Sequence, residues 1–308
     1  MKKTKLILLS LLALILVSCG SKTGSGSGTT DPVVKEIEIR DVEITTDRGS
    51  TTKATLVIPA TDEPAGGYPL VILLHGFNGS RDEAGLFTDV ANGLAEVGIA
   101  SIRFDMPGCN ESSEGFENYN MDTMLADTDT VLAYAKSVIN VDDSKIGLLG
   151  YSMGGRVAAM FVTHTSIDSM VLWAPAASAG LSAITLFGSV EDMSAMLQDN
   201  APGTLFPYEF YGSVIDVPYA FFETVRDSNP EADLLSFTGD VLVITGGVDS
   251  TVPKPITDAV IAAMVNAHTV GNLVVPASDH SFGGYGSNAD IYAQVIGSTV
   301  DYFARTLK

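Results

Sequence analysis

The sequence predicts an α/β fold with a mostly parallel central sheet and helices on both of its faces. Short runs rich in β-branched residues alternate along the chain with longer segments of helical periodicity, which is the order expected of such a sheet. Some of the short runs, such as "YPLVILLHG" (68–76), are almost continuously apolar, as in strands buried on both faces. The chain has 308 residues, and no repeat or change of composition divides it after residue 33. We therefore predict one domain over 33–308.

The predicted strands begin with a pair that is not continuously apolar. "VKEIEIR" and "ATLVIPA" are separated by polar turn residues and indicate an antiparallel start to the sheet. The remaining predicted strands are more apolar and cover 68–76, 101–108, 145–152, 169–177, 241–247 and 272–280.

Helical segments lie between these strands. Ser80 is a candidate N-cap for a helix that runs through Leu86, Val90, Leu94 and Val97, which lie about four residues apart. Further helices are predicted over 121–139, 153–165, 256–268 and 289–307.

One segment, 178–236, breaks the alternation of strands and helices. It lies between two predicted strands and is too long for a simple crossover connection. We therefore predict a cap inserted into the fold, whose rings either line a pocket or pack a small core of their own. Eight aromatic residues concentrate within it: Phe187, Phe206, Tyr208, Phe210, Tyr211, Tyr219, Phe221 and Phe222.

The N-terminus has the features of a bacterial lipoprotein signal. Three lysines within the first five residues precede an apolar run over 6–17. That run is shorter than the roughly 20 residues that span a bilayer. It ends in "LVSC", which resembles a lipobox, so we predict a signal peptide over 1–18, a lipid on Cys19 and a flexible tether over 19–32. The expected location is the bacterial cell envelope, facing outside the cytoplasm; secretion without lipid is the alternative.

Charge and cysteine content narrow the expected partners. The formal net charge is −20, and removal of the signal lysines makes it more negative, which argues against nucleic acid and anionic membrane surfaces as partners. If Cys19 is lipidated, Cys109 is the one remaining cysteine, and we expect it to be buried rather than reactive. Two cysteines do not supply a cysteine-rich zinc site, and we expect no metal and no cofactor. The sequence does not indicate an oligomeric state.

The pentapeptide "GYSMG" (150–154) fits the G-x-S-x-G pattern of a nucleophile elbow. A predicted strand precedes it and a predicted helix follows it, which is the context that this motif requires. Because a serine hydroxyl is a poor nucleophile at neutral pH, it needs a base and an acid that orients the base. We predict Ser152 as the nucleophile, so the base and the acid must come from elsewhere in the chain.

Histidine is the usual base, and the chain contains four. His164 lies about three turns into the predicted helix after Ser152, and His268 ends another predicted helix at the opposite end of the sheet. His75 lies in a loop expected to supply an oxyanion donor. His280 lies at the carboxyl end of the last predicted strand. Ligands of such sheets bind beyond the carboxyl ends of the strands, so His280 is the predicted base.

The acid is expected after a strand and before His280 in the chain. Asp249 leaves the strand 241–247 through two glycines and meets both conditions. Asp279 is adjacent to His280 and points away from it in an extended loop, and Asp240 precedes its strand. We therefore predict Asp249 as the acid.

Backbone N–H groups are the predicted oxyanion donors. One is the amide of Met153, at the N-terminus of the helix, where the helix dipole adds to the effect. The other comes from the loop after "VILLHG", for which we predict Phe77.

Taken together, the motifs of 37–307 resemble those of the α/β-hydrolase superfamily, and within it the bacterial feruloyl (cinnamoyl) esterases. The shared stretches include "LLHGFNGSRDE", "GYSMGG", "WAPAA", "GGVDSTVP" and "SDHSFGG". The resemblance implies a serine carboxylesterase that forms an acyl-enzyme on a small-molecule ester, such as a feruloyl, cinnamoyl or other short acyl ester. An extracellular peptidase and a non-catalytic binding lipoprotein are the alternatives. Residues 108–112 depart from the G-H-G-x-S of relatives, and Asn110 is a residue that tolerates a left-handed backbone.

Overall fold

An eight-stranded sheet lies at the centre of the residues that the computed structural model describes, 36–210 and 212–307. The order across this sheet is β1-β2-β4-β3-β5-β6-β9-β10, while β7 and β8 form a separate hairpin. The β1–β2 and β2–β4 pairs are antiparallel, and the other neighbours are parallel. The predicted sheet with an antiparallel start is thus confirmed. The strands are β1 (Glu38–Thr45), β2 (Thr51–Ile58), β3 (Tyr68–Leu74), β4 (Ala100–Phe104), β5 (Val141–Tyr151), β6 (Ser169–Trp173), β7 (Leu205–Phe210), β8 (Ser213–Pro218), β9 (Asp240–Gly246) and β10 (Thr269–Val275).

Helices cover both faces of the sheet, because the central strands are apolar on both sides. All residues of β3 are buried, and alternate ones face two different cores: Ile72 packs into one and Val71 into the other. The first core includes side chains of α2, α3 and α7, and the second includes those of α1 and α8. The helices are α1 (Leu86–Glu96), α2 (Met121–Val138), α3 (Met153–Phe161), α4 (Val190–Asp199), α5 (Tyr219–Asp227), α6 (Pro230–Asp233), α7 (Lys254–Ala263) and α8 (Ala289–Thr306).

Several element boundaries differ from the predicted ones. Ser80 is not the N-cap of α1, which begins at Leu86 after a 3₁₀ turn over Glu83–Gly85. That turn has left-handed backbone angles, so the helical path cannot extend back to Ser80. Helices α3 and α7 end at Phe161 and Ala263, several residues before their predicted ends.

The predicted signal peptide (1–18), Cys19 and the tether (19–32) lie outside the described residues, as does Tyr211. Within the described part of the chain, no helix combines the length and apolarity needed to cross a membrane. Residues 35–308 group into one compact unit. The domain boundaries proposed from the sequence stay predictions.

The segment 178–236 lies between β6 and β9 and contains α4, the β7–β8 hairpin, α5 and α6. Its aromatic residues line a cavity and also pack a core, but that core is continuous with the main one and is not a separate core of the segment. Phe187, Phe221 and Phe222 pack edge to face, with ring centroids 5.2 to 5.6 Å apart. Phe210, at the end of β7, instead lines a cavity beside Ser152.

A buried arginine attaches this segment to the helix after Ser152. The Arg156 guanidinium of α3 donates hydrogen bonds to the carbonyl oxygen of Ser178 at 2.8 Å and to that of Val225 at 3.0 Å. It also donates to the Ser228 hydroxyl at 2.7 Å and to the carbonyl of Ala176. Burial lowers the pKa of Arg156 to about 10. One side chain thereby fixes both ends of the inserted segment to the sheet domain.

Candidate active site

Ser152 stands at a sharp turn between β5 and α3. Its backbone has φ 54° and ψ −113°, a conformation that residues with a side chain rarely adopt. Hydrogen bonds on both sides hold it there: its N–H donates to the Trp173 carbonyl at 2.8 Å, and its own carbonyl accepts from Ala176 at 3.0 Å. Such strain persists where the surroundings determine the conformation, and it is common at functional sites.

The two flanking glycines of the motif are required by close packing at this turn. A Cβ atom on Gly154 would collide with the carbonyl oxygen of Leu74 at the end of β3. A Cβ atom on Gly150 would lie 2.5 Å from the carbonyl oxygen of Gly154. The glycines therefore allow α3 to start directly against the sheet, which places the serine side chain at the sheet's carboxyl edge.

The structure brings together the three side chains predicted as nucleophile, base and acid. His280 Nε2 lies 3.0 Å from Ser152 Oγ, and His280 Nδ1 lies 2.7 Å from Asp249 Oδ2. The other carboxylate oxygen of Asp249 accepts the backbone N–H groups of Thr251 and Val252 at 2.8 and 3.0 Å. With the imidazole proton on Nδ1, the Nε2 lone pair faces the serine hydroxyl. The side chains of Asp249 and His280 are 2% and 14% exposed, so this chain of hydrogen bonds is shielded from water.

Tyr151 was not singled out from the sequence, yet it supports the histidine loop. Its hydroxyl donates to the carbonyl oxygen of His280 at 2.7 Å, and the two rings lie 5.2 Å apart. It occupies a free position of the G-x-S-x-G pattern, so the motif alone gives no signal for it.

The other histidines and aspartates have partners elsewhere. His164 Nδ1 lies 2.7 Å from Asp129 Oδ2, and His268 Nδ1 lies 2.9 Å from Asp240 Oδ1. Asp279 accepts from the backbone and hydroxyl of Ser281. Neither His164 nor His268 has a bond to Ser152 in the described chain, which agrees with their exclusion as bases.

Residues 76–79, which we call the 76–79 turn, lie against Ser152. The N–H of Gly79 donates to the carbonyl of Gly76 at 3.1 Å, and Asn78 has φ 50°. A Cβ atom on Gly76 would lie 3.6 Å from the Cβ of Ser152. The Phe77 amide belongs to this turn. The Met153 amide is the first of α3, where backbone N–H groups have no partner within the helix. Their role as oxyanion donors stays a prediction.

Two further side chains hold the 76–79 turn. The buried His75 ring accepts the Met106 N–H at its Nε2 (2.9 Å), so its proton lies on Nδ1, which donates to the Gly76 carbonyl at 2.8 Å. Burial lowers the pKa of His75, so it is a neutral link between two loops. Glu83 Oε2 accepts the Gly76 N–H at 3.0 Å. Burial raises the pKa of Glu83 to about 7, because the Gly76 hydrogen bond offsets only part of the lost hydration.

The 108–112 loop tolerates its departure from the pattern of relatives. Asn110 has φ 46°, and its amide donates to the Asp105 carboxylate at 3.0 Å. Asp105 also forms an ion pair with Arg81, so the loop is tied to the segment after β3. Cys109 is buried, as expected, and burial raises the pKa of its thiol.

Among residues 36–210 and 212–307 no group of three or more His, Cys, Asp or Glu is placed to hold a metal ion.

Two cavities meet at His280. The first, of about 300 Å³, is lined by Ser152 and Phe77 and by Phe210 and Ile215 of the inserted segment. The second, of about 650 Å³, is lined by Ser250, Thr251, Asp279, His280, Ser281 and Tyr285.

Known proteins show the same fold. A model of the α/β hydrolase fold family matches residues 69–209. Esterase EstD of Thermotoga maritima is 25% identical over 210 residues, which cover 62% of this chain and 48% of that protein. An uncharacterised 31.7 kDa protein of Escherichia coli is 36% identical over 88 residues, which cover 29% of this chain and 30% of that protein. These alignments thus span less than half the length of the two curated relatives.

The structure of Est1E from Butyrivibrio proteoclasticus with bound ferulic acid superposes with a TM-score of 0.70 and 23% identity. The superposition covers 86% of this chain and 98% of Est1E. The strand order of the sheet, the helices on both of its faces and these matches all indicate the same fold. The chain has the α/β-hydrolase fold and resembles proteins that share it, among them Esterase EstD and Est1E.

Proposed function

We propose that the protein is a serine carboxylic-ester hydrolase that works through an acyl-enzyme. The observation that carries the proposal is the continuous hydrogen-bond chain from Ser152 Oγ through His280 to Asp249. Nucleophile, base and orienting acid at hydrogen-bond distance are the arrangement that activates a serine for attack on a carbonyl. The strained backbone at Ser152 supports the same role.

In the proposed mechanism Ser152 Oγ attacks the ester carbonyl carbon while its proton passes to His280 Nε2. The carbonyl π electrons move to the oxygen, and the resulting oxyanion accepts hydrogen bonds from the backbone N–H groups of Phe77 and Met153. When the intermediate collapses, the alcohol leaves with the proton from His280, and Ser152 keeps the acyl group. Water then attacks the acyl carbon and gives its proton to His280. The second intermediate releases the carboxylic acid, and the proton returns to Ser152. Asp249 holds the imidazole tautomer and stabilises the imidazolium throughout.

The proposed substrate is a small-molecule ester whose acyl group is feruloyl, cinnamoyl or another short acyl group. Because His280 must protonate the leaving alcohol, we place the alcohol in the 650 Å³ cavity on the histidine side. The acyl group then occupies the 300 Å³ cavity under the cap. The ferulic acid bound to Est1E motivates the choice of feruloyl esters as the first to test. A panel of acetyl, butyryl, octanoyl and feruloyl esters of one alcohol gives the acyl preference.

The test of the reaction is hydrolysis of a p-nitrophenyl acyl ester by the wild type and by Ser152→Ala. We expect the variant to lose turnover and labelling by a fluorophosphonate probe. A neutral control is Ser166→Ala, a serine in the loop before β6. Wild-type activity in Ser152→Ala would refute the proposal, and a wild type that the probe fails to label would favour a binding lipoprotein. Faster cleavage of a matched amide than of the ester would favour a peptidase.

We also propose that the protein is anchored to a membrane of the cell envelope through lipid on Cys19, with the domain outside the cytoplasm. The basis is the sequence of residues 1–32 alone. Metabolic labelling with a palmitate analogue in a bacterial host is expected to mark the wild type and not Cys19→Ser. Equal labelling of the two would contradict the anchor, and a soluble, processed protein would indicate simple secretion.

A further inference from the structure

Glu83 is a buried acid against the loop that holds a proposed oxyanion donor. Its side chain is 6% exposed, and Oε2 accepts the backbone N–H of Gly76 at 3.0 Å. The residue also lines the 300 Å³ cavity that contains Ser152 and Phe77. A buried acid normally has a cation as partner. Here no lysine or arginine is among the described residues that line the cavity, and the acid instead contacts a backbone amide.

The carboxyl group fills the inside of the 76–79 turn. A Cβ atom on Gly79 would lie 2.7 Å from Glu83 Oε2 and 3.1 Å from His75 Nδ1, so both side chains press against that glycine. The Gly76 N–H is held by Glu83, and the Gly76 carbonyl is held by His75. The Gly76 carbonyl and the Phe77 N–H belong to one peptide plane, so His75 fixes the direction of the Phe77 N–H directly. The Gly76 N–H belongs to the preceding peptide plane, so Glu83 fixes the entry of the chain into the turn, one peptide before the Phe77 N–H.

The backbone that presents Glu83 is itself unusual. Glu83, Ala84 and Gly85 have φ values of 44°, 53° and 89°, and the first two carry a side chain. Left-handed angles at consecutive non-glycine residues are unfavourable, and they persist where other contacts determine the conformation. Here the strained segment has the effect of turning the carboxyl group inward to Gly76.

We propose that Glu83 is a positioning residue of the ester hydrolase, which holds the 76–79 turn so that the Phe77 N–H points at the oxyanion. The inference rests on the proposed function. An oxyanion donor acts on the tetrahedral intermediate more strongly than on the planar ester, so its misplacement lowers kcat and leaves KM nearly unchanged. The required property of Glu83 is its acceptor oxygen, not its charge, and glutamine supplies that oxygen.

The test compares two side chains of similar length, Glu83→Gln and Glu83→Met, of which glutamine keeps the acceptor and methionine removes it. For a p-nitrophenyl ester we expect Glu83→Met to lose roughly 10- to 100-fold in kcat, with KM within about twofold, since small displacements of catalytic groups cost up to about 10² in rate. Glu83→Gln is expected to stay within about threefold of the wild type. The control is Asp82→Asn, which alters the neighbouring carboxylate that accepts from Arg103.

A trifluoromethyl ketone, which forms a tetrahedral adduct on serine, distinguishes positioning from general structural damage. Its affinity is expected to fall in Glu83→Met by the same factor as kcat/KM, while the affinity of the unreactive methylene analogue is unchanged. If Glu83→Met does not fold, Gly79→Ala pushes the carboxyl group away from the turn and is expected to give the same loss in kcat.

Two kinds of outcome separate this inference from the proposed function. The role of Glu83 is overturned, and the esterase is left intact, by any of three results: equal losses of kcat in Glu83→Gln and Glu83→Met, an effect confined to KM, or no loss of kcat in either folded variant. A wild type that neither hydrolyses esters nor reacts with a fluorophosphonate at Ser152 overturns the proposed function, and the role of Glu83 in it.

Discussion

Replacing Glu83 by glutamine is expected to change how the stability of the protein depends on pH. Burial raises the pKa of this carboxyl group from 4.5 to about 7 in the folded protein, so the folded state binds its proton more tightly than the unfolded state does. Between these two values the unfolded chain loses the proton while the folded protein keeps it. The contribution of Glu83 to stability is therefore greatest below pH 4.5 and is lost as the pH rises to about 7.

The size of the effect follows from the pKa difference. One unit corresponds to about 1.4 kcal/mol, so a shift from 4.5 to about 7 amounts to roughly 3 kcal/mol. Glutamine does not titrate and has no such slope. Subtracting the two stability curves cancels the other titrating groups, so the free energy of unfolding of Glu83→Gln relative to wild type is expected to rise by roughly 3 kcal/mol from pH 4.5 to pH 8.

Urea unfolding at a series of pH values measures this difference. The chain has a single tryptophan, Trp173, which is fully buried on β6 and is a natural fluorescence probe. A difference curve that is flat over this range would show that the carboxyl group titrates normally in the folded protein. A curve that falls with increasing pH would mean that Glu83 is stabilised as an anion, which contradicts the reasoning from burial.

Three further substitutions test other parts of the structure. Asp249→Asn keeps a carbonyl acceptor but no longer favours the imidazole tautomer that would activate the serine. The kcat for a p-nitrophenyl ester, measured by the release of p-nitrophenol, is therefore expected to fall about 10⁴-fold. Gly154→Ala would place a methyl group against the Leu74 carbonyl, and we expect little folded protein by circular dichroism, whereas Gly297→Ala meets open space and should fold normally. Arg156→Met leaves the buried carbonyl oxygens of Ala176 and Ser178 without their arginine donor, each worth about 1–3 kcal/mol, so urea unfolding should show a loss of about 2 kcal/mol or more; a loss under about 1 kcal/mol would contradict the anchoring role.

The sheet, and the meeting of three candidate side chains at its edge, could be predicted from the sequence because both are determined by local patterns. A continuous apolar run such as β3 fits few places other than a strand covered on both faces. Ser152, Asp249 and His280 each follow a strand within a few residues, and the carboxyl ends of parallel strands meet at one edge. The sequence therefore predicts that these three side chains, which are far apart in the chain, lie near one another in the fold.

The groups that position the reacting atoms could not be predicted, because their environment depends on distant segments. Glu83 lies in "SRDE", a polar stretch that is typical of an exposed loop, and only the left-handed backbone at 83–85 turns it inward. Arg156 lies on a helix, where arginine is ordinarily solvated, and its acceptors come from residues 20 to 72 positions further along the chain. Neither fact has a sequence pattern.

These two side chains act on different parts of the same site. Arg156 holds the ends of the inserted segment, and thereby the roof of the cavity that would receive the acyl group. Glu83 holds the 76–79 turn, which forms another wall of that cavity. If both roles are correct, Arg156→Met should change the ranking of acyl esters more than the rate on the smallest one, while Glu83→Met should lower kcat for all of them alike. Since the two side chains bind separate backbone segments, the double variant is expected to combine the two effects additively, and a strong departure from additivity would mean that the roof and the turn move together.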